Sequence, residues 1–193
     1  FVDKNVSLDW MQSAGAQVQN LLTKGSLNHL AHQLKLTPEQ HFEQVGQNLQ
    51  EAQKRGITSN VYLEDWSNGM RNSKSYVFDY LDFLVTQPIK RILLPDTLGI
   101  LTPEETAAFL KEILERYPTT HFDFHGHNDY DLGVANVLEA VKAGVHGLHL
   151  TVNGMGERAG NAALASSIAV INDFVTVVHN LSDGDRRAVS SAY

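Results

Sequence analysis

The 193-residue chain is 42% hydrophobic and 19% charged, which supplies one apolar core and excludes the composition of a disordered segment. Its net charge of -7 excludes the overall basic face that a nucleic acid backbone requires. No apolar run is long enough to span a bilayer, and the start lacks the basic-then-apolar order of a secretory signal. A cytoplasmic protein without a nucleic acid or membrane partner is expected. With no cysteine there is neither a disulfide framework nor a thiolate metal site, so a bound metal would rely on the nine histidines, carboxylates or amides.

In chain order, Phe1-Val2 reads as the end of a strand before an Asp3-Lys4-Asn5 turn. Helices are expected at Ser7 to Ala14, Pro38 to Arg55, Ser75 to Thr86, Pro103 to Tyr117, Asp131 to Ala143 and Ala162 to Asn172. Strands are expected at Gln17 to Thr23, Ser59 to Asp65, Arg91 to Asp96, His121 to His127 and Gly147 to Val152. Thr37-Pro38-Glu39-Gln40 and Thr102-Pro103-Glu104-Glu105 each offer a capping Thr, Pro at the first helical position and a Gln or Glu at the third. The alternation of apolar runs with amphipathic stretches is that of a parallel sheet with crossover helices. Residues 1–173 are read as part of one catalytic domain and 174–193 as a tail that has no clear period.

The strand ends differ from the strand starts. NLLTKGS, VYLEDWSNG, LLPDTLG, DFHGHND and LHLTVNGMGERAGN all finish an apolar run in polar, loop-forming residues, whereas the helix-to-strand turns are plain. In a (β/α)8 barrel the C-terminal strand ends meet on one face and carry the chemistry. Five polar strand ends suit such a ring better than an open doubly wound sheet, and no G-x-G-x-x-G follows a first strand. The expected fold is therefore an α/β, (β/α)8 TIM barrel of which this chain carries the last five to six strands, with about two and a half more ahead of Phe1.

Strand alternation sends His125 and His127 to one side, two imidazoles a ligand spacing apart and fit for a divalent metal with open positions. The plain alternative is one hydrogen-bonded core histidine and one loop histidine; His121, His146 and His149 are read as structural. Asn153 ends the next strand, where its amide oxygen could be a ligand or a neighbour of one. The glycine-dense GMGERAGN that follows is either a tight loop closed by a Glu157/Arg158 ion pair or a rim closing on an anion. Tyr62 and Glu64 share a strand face, so Glu64 could exchange protons with a substrate or be a salt-bridged structural residue. Thr97 could donate to a substrate carboxylate, or hold the turn with Asp96.

Taken together, DTLGILTPEE, HGHNDYDLGVAN and TVNGMGERAGN, in that order on three successive strand ends, resemble the acyltransferase branch of the DRE-TIM metallolyases. That branch includes 2-isopropylmalate synthase, homocitrate synthase and citramalate synthase. NLLTKGSLNHL and NVYLEDWSNGMRNS resemble most the citramalate synthase of spirochaete type; isopropylmalate synthases carry a His-containing, Thr-Ser-rich segment in place of NLLTKGS. The resemblance implies His125 and His127 as ligands of Mn²⁺, Mg²⁺ or Zn²⁺, with Asn153 as ligand or close neighbour and an Asp from a first strand that this sequence does not contain. It implies that Leu22 and Tyr62 shape the pocket for a small 2-oxo acid, that Glu64 is catalytic and that Thr97 holds the substrate carboxylate. Acetyl-CoA is then the co-substrate and the assembly a homodimer. Pyruvate giving (R)-citramalate is the expected reaction, in isoleucine or leucine biosynthesis, with 2-oxoisovalerate as the alternative. A non-catalytic barrel remnant is the rival of a different class. A lyase of the hydroxymethylglutaryl-CoA type is opposed by the lack of cysteine, and a metal-dependent hydrolase by the late position of the H-x-H pair.

Overall fold

The computed structural model describes residues 5–175. These fall in two compact units, residues 5–97 with 119–123 and residues 98–118 with 124–175, and the fourth strand runs from one into the other. Five strands, β1 (Val18–Lys24), β2 (Thr58–Glu64), β3 (Ile89–Asp96), β4 (Phe122–Gly126) and β5 (Gly147–His149), form one sheet in the order β1-β2-β3-β4-β5. Such sequential, parallel neighbours joined by helices are the repeated βαβ unit.

In the first unit, β1 and β2 pair in parallel, with Leu22 opposite Tyr62 and Lys24 opposite Glu64, and β2 pairs in parallel with β3. One face of this part of the sheet is apolar: Leu21, Val61, Leu63, Ile92 and Leu94 are buried. Helices α3 (Pro38–Lys54), α4 (Trp66–Asn72) and α5 (Lys74–Leu84) belong to the same unit. The helix α3 begins in a complete capping box between Thr37 and Gln40, with Pro38 at its first position, and buries His41, Val45, Leu49 and Ala52 at helical spacing. Gln19, the polar residue on this buried side of β1, is satisfied by Asn48 Oδ1 at 3.1 Å and Ser59 Oγ at 2.7 Å. Helix α1 (Val6–Ser13) closes a small cluster of Leu8, Ala52 and Ile57.

In the second unit, α6 (Pro103–Arg116) starts in a second capping box, Thr102 with Glu105, and buries Leu110 and Ile113. Helix α7 (Gly133–Ala143) buries Val137 and Ala140 and stops at Gly144, whose φ of 98° only glycine adopts readily. Helix α8 (Leu164–Phe174) follows. No helix among the described residues is long and apolar enough to cross a membrane.

All six expected helices and all five expected strands are present within a few residues of their expected ends. Three differences have physical causes. Residues Leu27–His29 form a single helical turn, α2, running into a π-helical turn over Leu30–Leu34, where no element was expected; Ser26 Oγ caps the turn by accepting from His29 N–H at 3.1 Å. Helix α4 was also absent from the expectation, because Gly69 lowers the propensity of a seven-residue segment that survives by burying Trp66 and Met70 at i,i+4. Strand β5 stops at His149 rather than Val152, because Thr151 turns away to bridge Ala163 and Asn153 takes a left-handed conformation. The strand stub at Phe1-Val2 and the tail beyond Val175 lie outside the described residues; Phe174, assigned to that tail, is the last residue of α8.

Candidate active site

In the second unit, the end of β4 delivers His125 and His127 to the same side, as strand alternation requires. Their Nε2 atoms lie 3.3 Å apart and the rings meet edge to face at 88°. Burial, then the charges of His127 and His149, push the His125 imidazole down to about 4, so it is neutral with a lone pair available at neutral pH. Two imidazole nitrogens about 2.0–2.1 Å from a common metal at the tetrahedral angle would lie about 3.3–3.4 Å apart, and the observed separation matches. The donor pair therefore fits a divalent cation. Among the described residues no cluster of three His, Asp or Glu side chains completes a metal site.

The glycine-rich segment folds back on this strand end. His127 bridges Asn161 in antiparallel fashion, Asn128 N–H donates to Gly160 O at 2.9 Å, and Ala162 N–H donates to Gly126 O at 3.1 Å. Arg158 grips Asp129 with two hydrogen bonds of 2.7 and 2.8 Å and only reaches Glu157 at 3.5 Å, so the Glu157/Arg158 pair is the minor part of that loop closure. Asn128 Oδ1 accepts from Gly133 N–H at 2.9 Å and so satisfies the first free N–H of α7, whose N-cap residue Leu132 offers no side-chain acceptor. Asn153 is exposed in the turn after β5. Asn161, half a loop later and buried, pairs with His127 through the backbone, while its side-chain amide donates to Met155 O at 3.3 Å; the sequence reading missed it, although it closes the same GERAGN motif. His149, read as structural, has its ring centre 6.0 Å from that of His125.

In the first unit, the face opposite the apolar one carries polar side chains interrupted by Leu22 and Leu93. Asn60 donates to Asn20 at 2.9 Å, Lys24 ion-pairs with Glu64, and Asp123, 1% exposed, receives Arg91 at 3.4 Å and His121 at 2.8 Å. His121 is thus held structurally, as expected. Leu22 and Tyr62 are register partners on this face, and Leu22 is 46% exposed. Burial and then the Asp123 charge raise the Tyr62 phenol above its ordinary range, so it stays neutral. One step further along, Glu64 has Lys24 on Oε2 and His29 Nδ1 4.0 Å from Oε1.

The residue after Glu64 organises the rim of this unit. Asp65 is fully buried at a φ of 67°, a conformation that Asp tolerates better than most residues. Its Oδ2 accepts from Ser26 at 2.6 Å, its Oδ1 from Asn68 at 2.8 Å, and His29 Nε2 lies 3.6 Å away. Asp65 N–H donates to Thr97 Oγ1 at 2.8 Å. A hydroxyl accepts and donates at once, so this turn-holding contact is compatible with a second bond from Thr97. Sequence reading placed Asp65 at the end of the expected strand and gave it no role, because Ser26 and Thr97, which it bonds, are distant in sequence.

With this geometry in place, the chain matches the family model described as HMGL-like over residues 3–188. The chain belongs to the HMGL-like family. Relatives include a probable 2-isopropylmalate synthase of Ignicoccus hospitalis, 34% identical over 77% of this chain and 37% of the relative. A candidate (R)-citramalate synthase of Methanopyrus kandleri is 30% identical over 88% of this chain and 33% of the relative. The chain thus spans about a third of the length of the curated relatives it matches. Among solved structures, the hydroxymethylglutaryl-CoA lyase of Pseudomonas aeruginosa superposes with a TM-score of 0.76 at 16% identity, covering 96% of this chain and 71% of the lyase. That likeness shows the fold of this HMGL-like chain, part of a (β/α) barrel.

Proposed function

We propose that the protein containing this chain condenses acetyl-CoA with a small 2-oxo acid at a divalent metal, with pyruvate as the preferred acceptor and (R)-citramalate as the product. The observation that carries this reading is the His125/His127 pair, whose nitrogens are spaced for one cation in an HMGL-like chain with synthase relatives.

A divalent cation held by His125 and His127, with Asn153 as the nearby amide, would supply Lewis-acid polarisation of the ketone. Thr97 O–H binds the acceptor's carboxylate. Glu64 handles the proton that leaves the methyl group of acetyl-CoA, and the resulting enolate attacks the ketone carbon; hydrolysis of the thioester then releases CoA and makes the step irreversible. Leu22 and Tyr62, side by side across β1 and β2, narrow the space for the acceptor's side chain. An apolar pocket discriminates one methylene by only about 1–3 kcal/mol, so 2-oxoisovalerate is the second reading, favoured by the isopropylmalate synthase names among the relatives. A cytoplasmic homodimer is part of the same proposal.

The test is release of free CoA by the full-length protein with Mn²⁺ or Mg²⁺ and pyruvate, 2-oxoisovalerate or 2-oxoglutarate in turn. Pyruvate should give the highest kcat/KM. A preference for 2-oxoisovalerate moves the assignment to isopropylmalate, and no release with any acceptor leaves a non-catalytic remnant.

A further inference from the structure

Lys24, the last residue of β1, has both its side chain and its backbone tied down, and no role has been given to it above. Its side chain is 9% exposed. A lysine rarely accepts such burial without partners, since desolvating the ammonium is costly. Here Nζ donates to Gln33 Oε1 at 2.6 Å, on the π-helical turn, and pairs with Glu64 Oε2. π-Helical turns are rare and concentrate at functional sites.

The main chain of Lys24 is fixed by a closed ring of three hydrogen bonds. Lys24 N–H points at His41 Nε2 at 3.5 Å, Tyr76 O–H donates to Lys24 O at 2.9 Å, and His41 Nδ1 lies 3.0 Å from Tyr76 Oη. Because the Tyr76 hydrogen is committed to Lys24 O, His41 must be the donor to Tyr76, and Nε2 is then the acceptor for Lys24 N–H. All three bonds are satisfied by one tautomer. His41, Tyr76 and Tyr80 belong to an aromatic cluster between α3 and α5. A rigid cluster of helix side chains therefore sets the height of Lys24, and Lys24 sets the carboxylate of Glu64.

We infer that Lys24 is the positioning residue for Glu64: its ammonium, held by Gln33 and by the His41–Tyr76 ring, claims Oε2 and so presents Oε1 for proton transfer. This rests on the condensation reading above, in which Glu64 handles the proton. A loosened carboxylate loses proton-transfer geometry but not substrate affinity, so the expected signature is a fall in kcat at constant KM.

The experiment uses the full-length protein with acetyl-CoA, Mn²⁺ and the preferred acceptor. Lys24→Met, which keeps the length of the stem, should lower kcat about 100-fold with KM for both substrates changed less than about twofold. Glu64→Gln alone should lose about 10²- to 10⁴-fold, and adding Lys24→Met to it should lose less than about threefold more. Gln33→Ala, at an exposed position whose loss spares the core, should lower kcat about threefold and keeps the test open if Lys24→Met does not fold. Reductive methylation of the intact protein should modify Lys24 slowly, and faster in Glu64→Gln. Unchanged kcat in Gln33→Ala and Lys24→Met, or losses that multiply with Glu64→Gln, overturn the role of Lys24 while leaving the condensation standing. No condensation by the unsubstituted protein overturns the reaction assignment itself, and the role of Lys24 with it.

Discussion

Replacing Gly69 by Ala sets two effects of opposite sign against each other. In the interior of α4, Ala is favoured over Gly by about 1 kcal/mol of helix propensity. A Cβ at this position, however, would lie 2.0 Å from Gly25 O, 2.8 Å from Val77 Cγ2 and 3.1 Å from Gly25 C. Carbon contacts relax at about 3.5–4.0 Å, so the turn after β1 or α4 itself must move by more than 1 Å. Val77 can adjust its rotamer, but the Gly25 carbonyl is backbone, and Gly25 cannot retreat because its own Cβ position lies 2.6 Å from Leu63 O. Overpacking of this kind costs about 1–3 kcal/mol and more where backbone must shift, so the clash outweighs the propensity gain and a net loss of about 2 kcal/mol is expected. Urea unfolding followed by circular dichroism and by tryptophan fluorescence, to which buried Trp66 contributes from within α4, measures it. Gly56→Ala is the control: its φ is +72° with no atom within 4 Å, so only about 1–2 kcal/mol of left-handed strain applies. A Gly69→Ala protein as stable as wild type, or more stable, would refute the packing argument and leave propensity as the larger effect.

Four further outcomes are expected. Burial and the nearby Lys24 charge hold the His41 imidazole down at about 4, against about 6.5 when unfolded. The unfolded chain thus binds more protons between those values, and stability falls as pH drops through that window, by about 3 kcal/mol at pH 4. His41→Asn, compared by urea unfolding at pH 7 and pH 4.5, should show a flatter dependence, and an unchanged slope would contradict the neutral ring. Thr37→Ala and Thr102→Ala should each cost about 1 kcal/mol through loss of a capping box, read from thermal unfolding. Arg158→Lys should cost under about 1 kcal/mol, because the bidentate grip on Asp129 is half exposed, yet should raise amide exchange across residues 154–161. His127→Ala should weaken Mn²⁺ binding more than about 100-fold by calorimetry, since outer-shell changes alone cost about 10- to 100-fold; retained affinity removes it as a ligand.

The periodic parts of this fold were legible because period and burial agree. Val45, Leu49 and Ala52 on α3, and the alternation along β2, encode their partners directly. The two capping threonines marked helix starts for a local reason that tertiary structure does not disturb. Segments 27–34 and 66–72 were not legible because they are too short for a period and depend on contacts distant in sequence, such as Ser26 with Asp65 and Gly25 with Gly69. At the site, His125 with His127 followed from alternation within one strand, whereas Leu22 and Tyr62 were named through the family resemblance and the structure adds that they are register partners. Asn161 and Lys24 were missed for a different reason. Asn161 reaches His127 only because the glycine-dense loop doubles back; Lys24 faces Glu64 by the same parallel register, but a strand-end lysine carries no signal of its burial until Gln33 on the π-turn and His41 on α3 close over it.

The most direct test of the central claim is the product itself. The full-length protein, given carbon-labelled acetyl-CoA, Mn²⁺ and pyruvate, should form a five-carbon hydroxy diacid carrying both acetyl carbons, seen by mass spectrometry in equal amount to the CoA released. Release of CoA with label recovered only as acetate, or no turnover at all, would contradict carbon–carbon bond formation at the His125/His127 site.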